Sequence, residues 1–358
     1  MKKKVLFIVP NLHCGGASKV LSLICQNLDP AGFEVVLVCV NTKKAFYPIT
    51  NPAVKVIDLQ KDHVKSIFFP IQSVFKKEKP DIVFSNGQDL NILMAFLKIF
   101  HPKIAFVCRE TSVLSGNNKN IPFRRLYNFL VKKLYNNVNR IICQSREMAA
   151  DLEKMYHVRP EKLQIVSNPV TVPQLPVPLP ALFKTGKIRF LSIGRLDPGK
   201  GNMRVLEALA SYSHPFEFII LGDGPEKAQL EHKAAILGIS DSVVFKGTVA
   251  NTNEYIADCN FVLLGTYNEG FPNIVLEAGI LGKPVIAFKV PGVDEEVIVP
   301  YETGILITGN TPAHFTEALN GLQTVQFDSE LIKSIIINKF GIKKIMQTYE
   351  ILFDKIIQ

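Results

Sequence analysis

The sequence predicts an α/β protein of two doubly wound parallel-sheet domains. Three observations predict it. Short apolar runs alternate with stretches of helical period almost from end to end, a Pro-rich segment divides the chain near its middle, and both halves open in the same way. Runs that are apolar on both faces suit strands buried between helices, and strand–helix alternation gives parallel sheets. With 358 residues the chain exceeds one typical core, so two domains of about 150–200 residues each are expected.

The elements follow in order. The opening "MKKKVLFIVPNLHCGG" imitates a signal peptide, but its apolar run stops at Val9 before Pro10 and Asn11. A signal core needs roughly 7–15 apolar residues, so this run reads as a buried first strand entering a glycine loop. "FEVVLVCV", "DIVFS", "KIAFVC" and "RIICQ" supply further strands of the first half. In the second half "IRFLSIG", "FEFIILG", "SVVFKG", "FVLLG", "KPVIAF" and "TGILI" do the same, with helical stretches such as "NMRVLEALASYS" and "PEKAQLEHKAAILG" between them. No window approaches the roughly 18 uninterrupted apolar residues of a spanning helix. The break is "NPVTVPQLPVPLPAL", Asn168 to Leu182, whose five prolines suit an extended linker. The expected organisation is a first domain at 1–170, a linker at 171–182, a second domain at 183–340 and a terminal helix at 341–358. That helix has apolar Ile342, Ile345, Met346, Tyr349, Leu352 and Phe353 on one face and needs a surface to cover, expected on the first domain.

Composition narrows the class. Hydrophobic residues make up 47% and charged residues 20%, which argues against extensive disorder. The net charge of +9 is uneven: residues 1–170 hold 25 Lys/Arg against 12 Asp/Glu, a net of +13, and residues 171–358 hold 16 against 20, a net of −4. A basic first half suits an anionic surface. The six cysteines form no CxxC and no metal-ligand spacing, so they read as small core residues in a reducing compartment, and the chain as cytoplasmic and metal-free.

Two stretches carry the chemistry. In "SIGRLDPGKGNMRVLEAL" Gly194 turns the chain at a strand end, and Arg195 and Lys200 lie near the start of the next helix. Two cations beside free helix N–H groups suit a diphosphate, and ligands of such sheets bind at the carboxyl ends of the strands. In "TYNEGFPNIVLEAGILGKPVIAF" Glu269 lies on a loop, Pro272 suits the first turn of a helix, and Gly282 suits its stop. Glu277 then stands on that helix, roughly 7 Å along its axis from the start. The N–H groups near Gly270, Phe271, Asn273 and Ile274 are expected to point out of the helix start. A sugar nucleotide fits this pattern, with hexose hydroxyls at Glu269, the diphosphate at the helix start and ribose hydroxyls at Glu277.

"GRLDPGKG", "LGDGPEKAQLE", "VVFKGTV" and "NEGFPNIVLEAGILGKPVIA" closely resemble the family 4 retaining glycosyltransferases of the GT-B fold, and "PNLHCGGASKV" looks like their first-domain glycine loop. The resemblance covers nearly the whole chain. It implies a hexosyltransferase that moves a hexose or N-acetylhexosamine from a nucleotide-diphosphate sugar, UDP-linked by expectation, to a glycan or lipid-linked acceptor in cell-surface polysaccharide or lipopolysaccharide biosynthesis. No cofactor and no metal are implied. Arg195 and Lys200 would neutralise the diphosphate, Glu269 would contact the sugar and Glu277 the ribose. Gly194, Gly270, Phe271, Pro272, Asn273 and Ile274 would complete the donor pocket, Phe245, Lys246 and Gly247 would lie near the base, and Gly15 and Gly16 would approach from the first domain. Two positions depart from the family pattern. Gly265 stands where members often have Ser, and Arg109, followed by Glu110, stands where many have a His close to the sugar. Arg109 is expected either to stabilise charge at the donor or to brace the cleft.

One further segment, "IPFRRLYNFLVKKLYNNVNR" at 121–140, pairs Arg124, Arg125, Lys132 and Lys133 with an apolar face, and together with "FFPIQSVFKKEKP" and the +13 half it is expected to meet an anionic membrane peripherally. Rival readings are a dehydrogenase, a sugar-nucleotide epimerase of the same plan and a non-catalytic partner subunit. The loop "CGGAS" is not GxGxxG, and Arg195, Lys200 and Glu277 are all present. Nucleic-acid binding would explain the charge but not the donor site.

Overall fold

Seven strands run parallel in the first of two units: β1 (Lys3–Val9), β2 (Phe33–Cys39), β3 (Val54–Asp58), β4 (Ile82–Asn86), β5 (Ala105–Arg109), β6 (Arg140–Cys143) and β7 (Leu163–Ile165). Their order is β3-β2-β1-β4-β5-β6-β7. The computed structural model describes residues 2–43, 45–117, 124–178, 181–182 and 186–357. By internal packing the chain divides into Met1–Pro169 with Ile342–Gln358, and Val170–Gly341.

Strand periodicity builds the first core. Alternate side chains point to opposite faces. Leu6, Ile8, Val36, Val38 and Val83 meet helices Phe68–Glu78, Gln88–Leu97, Arg124–Leu134 and Arg146–Tyr156 on one face. Val5, Phe7, Val9, Leu37 and Phe84 meet helices Gly16–Gln26 and Ile342–Ile357 on the other. The terminal helix thus returns to the first unit and buries Ile345, Met346, Tyr349, Leu352 and Phe353 there.

The second unit repeats the plan with β8 (Ile188–Ile193), β9 (Phe216–Leu221), β10 (Val243–Gly247), β11 (Phe261–Leu264), β12 (Val285–Phe288) and β13 (Gly304–Ile307), in the order β10-β9-β8-β11-β12-β13. Helices Asn202–Ala210, Lys227–Ile236 and Pro312–Asn320 cover one face, and Thr252–Asp258, Asn273–Ile280 and Ser329–Phe340 the other. Strands β8 and β11 are neighbours, yet the helices that follow them lie on opposite faces. The two loops therefore diverge and leave a crevice, as at every such switch point of strand order.

The Pro-rich stretch departs from a free linker at its ends. Val170 donates its N–H to Phe340 O at 2.9 Å and joins the second unit's core. Leu182 donates its N–H to Asp258 Oδ2 at 2.7 Å. Residues 179–180 of the expected linker lie outside the described residues.

Candidate functional site at the β8 and β11 strand ends

The residues singled out in "GRLDPGKG" and "NEGFPNIVLEAG" come from these two diverging loops. Lys200 and Glu269 meet directly, Nζ to Oε1 at 2.6 Å, with Glu269 largely buried and Lys200 about a third exposed. Arg195 stands beside them in solvent, its Nε 3.7 Å from Asp197 Oδ2. The sequence reading gave Lys200 to the diphosphate and Glu269 to the sugar; the structure pairs the two. A partly exposed pair contributes about 1 kcal/mol or less, so a multiply charged anion can take Lys200 from Glu269.

Backbone contacts hold the two loops together. Tyr267 N–H donates to Gly199 O at 3.0 Å, and the buried Thr266 hydroxyl lies 3.1 Å from Gly199 O and 2.9 Å from Asn268 O. Glu269 N–H donates to Pro291 O at 2.9 Å. Gly292, in the left-handed region at φ +80°, passes so close that a Cβ there would stand 2.1 Å from Glu269 O. Sequence reasoning missed Thr266 and Gly292, because neither carries a charge or a motif of its own.

Arg204 was also missed. It is 4% exposed and lies on the helix after β8. Its Nε donates to Gly265 O at 2.5 Å and its Nη2 donates to Thr266 O. The guanidinium carbon sits 3.9 Å from the Tyr267 ring centre and 3.8 Å from that of Phe288. Burial pulls the guanidinium pKa below its ordinary value, and the fork, the two carbonyls and the two rings keep it in place. The departure at Gly265 fits beside it: a Cβ there would meet Gly201 O at 2.3 Å and Val205 Cγ2 at 2.6 Å.

The helix that follows runs Asn273–Ile280, with Pro272 as the residue before its first turn and Gly282 at φ +72° just past its end. Among the described residues the amides of Gly270, Phe271 and Ile274 make no backbone hydrogen bond. The Asn273 amide differs from expectation: it donates to Phe271 O at 3.0 Å and so turns inward. Glu277 lies half-buried on the helix, one turn beyond Asn273.

On the other flank, Gly194 closes β8 with its N–H on Leu221 O at 3.0 Å. The tighter constraint falls on its neighbour Gly222, where a Cβ would stand 1.9 Å from Gly194 O. Gly222 N–H donates to Gly247 O at 2.8 Å, which joins this loop to the end of β10. β10 is an edge strand with an irregular register between Phe245 and Gly247; Lys246 is exposed there, and Phe245 and Gly247 are half-buried.

Three candidates belong to the first unit. Gly15 and Gly16 open the helix Gly16–Gln26 after β1, beside the β1–β4 switch of that sheet. Arg109 lies in the interior. It is fully buried, with Nη1 donating to Asn86 Oδ1 at 2.7 Å, Nη2 donating to Asn168 Oδ1 at 2.5 Å, and a contact to the Tyr349 hydroxyl of the terminal helix. Its guanidinium is thus committed to first-unit side chains and the terminal helix, the arrangement of the bracing alternative. Glu110, equally buried, accepts hydrogen bonds from Asn91 at 2.7 Å and the Tyr135 hydroxyl at 2.6 Å, and burial raises its carboxyl pKa. The two residues belong to one buried network: Asn168 donates to Gln144 at 2.9 Å, Gln144 donates to Glu110 O at 2.6 Å, and Asn91 donates to both Arg109 O and the Glu110 carboxylate. The basic segment at 121–140 forms the helix Arg124–Leu134, which buries Tyr127 and Val131 and exposes Leu126 and Phe129; its residues 121–123 lie outside the described residues. Among the described residues no helix is long and apolar enough to cross a membrane.

Comparisons with known proteins agree with this architecture. A family model described as glycosyltransferase family 4 matches residues 14–172, and one described as glycosyl transferases group 1 matches residues 180–334. An N-acetylgalactosaminyltransferase of Campylobacter jejuni, named for an N-acetylgalactosamine–diacetylbacillosaminyl-diphospho-undecaprenol acceptor, is 26% identical over 93% of both chains. An amylovoran biosynthesis glycosyltransferase of Erwinia amylovora is 23% identical, covering 89% of this chain and 90% of its own. The crystal structure of Anabaena HepE in complex with UDP and glucose superposes with a TM-score of 0.82 at 20% identity, covering 99% of this chain and 100% of its own. With its two parallel-sheet GT-B domains and the family models matching one on each half, the chain belongs to the group 1, family 4 glycosyltransferases.

Proposed function

We propose that the protein is a metal-independent, retaining glycosyltransferase that moves a hexose or N-acetylhexosamine from a UDP-sugar to a lipid-linked or glycan acceptor in cell-surface polysaccharide or lipopolysaccharide assembly. The observation that carries this reading is the Lys200–Glu269 pair between the β8 and β11 loops, beside the helix start at Asn273. An incoming diphosphate takes Lys200 and Arg195, together with the amides of Gly270, Phe271 and Ile274. Glu269 is then released toward the sugar hydroxyls, and Glu277 holds the ribose. Phe245, Lys246 and Gly247 flank the base, and Gly15 and Gly16 are a further donor contact. The names of the Campylobacter and Erwinia relatives support the acceptor class, and the UDP and glucose of the HepE complex support the donor class.

In the reaction the bond from the sugar's anomeric carbon to the β-phosphate oxygen breaks, and its electron pair stays on that oxygen. The acceptor hydroxyl attacks the same face of the sugar, and its proton passes to the departing phosphate. Negative charge thus grows on the leaving diphosphate. Arg195, Lys200 and the helix start stabilise that charge, the work a divalent cation does in other enzymes. Glu269 serves as a sugar contact and not as a nucleophile. The enzyme works at the cytoplasmic side of the membrane that carries its acceptor.

Turnover of UDP-sugars by Lys200→Ala and Glu277→Ala tests the assignment. Lys200→Ala is expected to lose at least about 100-fold in kcat/KM, of the order found when one preorganised donor to developing charge is removed, and Glu277→Ala at least about tenfold, the cost of one charge-assisted contact to the ribose, each with an unchanged melting temperature and with no response of the wild type to EDTA. Wild-type turnover in either variant rejects the donor site.

A further inference from the structure

We propose that the outer side of the helix layer formed by Phe68–Glu78, Gln88–Leu97 and Arg124–Leu134 is a docking surface for anionic phospholipid, led by Phe69, Phe96, Ile99 and Phe100. The surface stands on the first unit alone. It rests on and deepens the lipid-linked acceptor reading by naming where the enzyme meets the bilayer, and it adds Phe96, Ile99 and Phe100 to the two segments expected from the sequence.

The apolar part is continuous and exposed. Phe69 is 77% exposed, Phe100 58%, Ile99 53% and Phe96 38%. Their rings run on from the half-buried Phe68: Phe68–Phe69 at 5.0 Å, Phe68–Phe96 at 6.3 Å and Phe96–Phe100 at 5.3 Å between centres. Lys98 fixes the turn that presents Ile99 and Phe100, its Nζ donating to Pro102 O at 3.0 Å and Ile104 O at 2.7 Å. Leu126 and Phe129 extend the apolar exposure onto the helix Arg124–Leu134, which packs against Gln88–Leu97. Contiguous apolar exposure of this kind marks an interaction site.

The charge around it chooses the partner. Lys65, Lys76, Lys77, Lys103, Arg124, Arg125, Lys132 and Lys133 are exposed on the same three helices and their connections. The three helices carry two acids, the exposed Asp89 at the start of Gln88–Leu97 and the buried Glu78, and residues 90–146 contain one more, the fully buried Glu110. Acids return on the fourth helix of the layer, as Glu147, Asp151 and Glu153, and bound the surface there. An apolar edge ringed by cations matches an anionic bilayer, where each cation near the surface and each inserted ring adds to the binding. A second copy would set like charges against each other. Nucleic acid prefers separate stacking platforms, whereas these rings pack on one another at steep angles and an isoleucine lies among them.

Flotation of the full chain with vesicles tests this. The wild type is expected to float with phosphatidylglycerol–phosphatidylcholine vesicles at low salt, weakly at high salt, and not with phosphatidylcholine alone. Phe69→Ser with Phe100→Ser should lower the vesicle affinity about tenfold per side chain, at an unchanged melting temperature. Lys132→Ala with Lys133→Ala should weaken binding and flatten its salt dependence. Three results overturn the proposal: no flotation of the wild type, undiminished flotation of the Phe69/Phe100 variant, or a light-scattering dimer or single-stranded oligonucleotide complex that the same variant abolishes.

Discussion

Arg204 carries a charge into the second unit's interior and spends both sides of its guanidinium there. One side grips the carbonyls of Gly265 and Thr266, and the faces are closed by Tyr267 and Phe288. It touches no expected ligand, yet it sets where the loop bearing Glu269 begins. Arg204→Lys keeps the charge but not the fork or the stacking. We expect it to raise the KM for donor about tenfold, the worth of roughly 1.4 kcal/mol, with kcat for bound donor changed less, in initial-rate measurements. A purely structural role would lower melting temperature and leave KM alone. Its charge sat in "NMRVLEAL" as an ordinary helix arginine, and only the fold brings it under the loop. Arg109 teaches the reverse: a charge at a strand end in the sequence reads as a site residue, and its burial among Asn86, Asn168 and Tyr349 is the arrangement of a brace.

Among elements, the loops after β8 and β11 were legible because each combines a strand, a glycine and a charge at a helix start. The contact between them was not. Gly201 at φ +60° and Gly265 pass with backbones touching, a relation between residues 64 positions apart. Gly265→Ser would place a Cβ 2.3 Å from Gly201 O. It is expected to destabilise the second unit by about 1–3 kcal/mol, as overpacking does, in chemical denaturation followed by fluorescence. A neutral or stabilising effect would mean the loops separate freely. The strands were legible where apolar on both faces. β3 and β7 were not, since Lys55 interrupts one and the other has three residues, both half-exposed at sheet edges.

At the scale of the whole molecule the chain is two sheets of the same plan, and the terminal helix completes the first core after the second unit has been made. The apolar stripe of that helix announced a surface to cover, and periodicity alone sufficed to find it. The division of charge has a counterpart in the division of labour. The basic first unit carries the proposed bilayer surface, and the mildly acidic second unit gathers Arg195 and Lys200 at one strand-end crevice. That crevice as a nucleoside-diphosphate site is the central claim. Titration calorimetry of UDP into the wild type, Lys200→Ala and Glu277→Ala tests it most directly. The wild type is expected to bind at a single site, and each variant to bind at least about tenfold more weakly, the cost of one charge-assisted contact. Equal affinity in all three proteins, or no binding by the wild type, would contradict it.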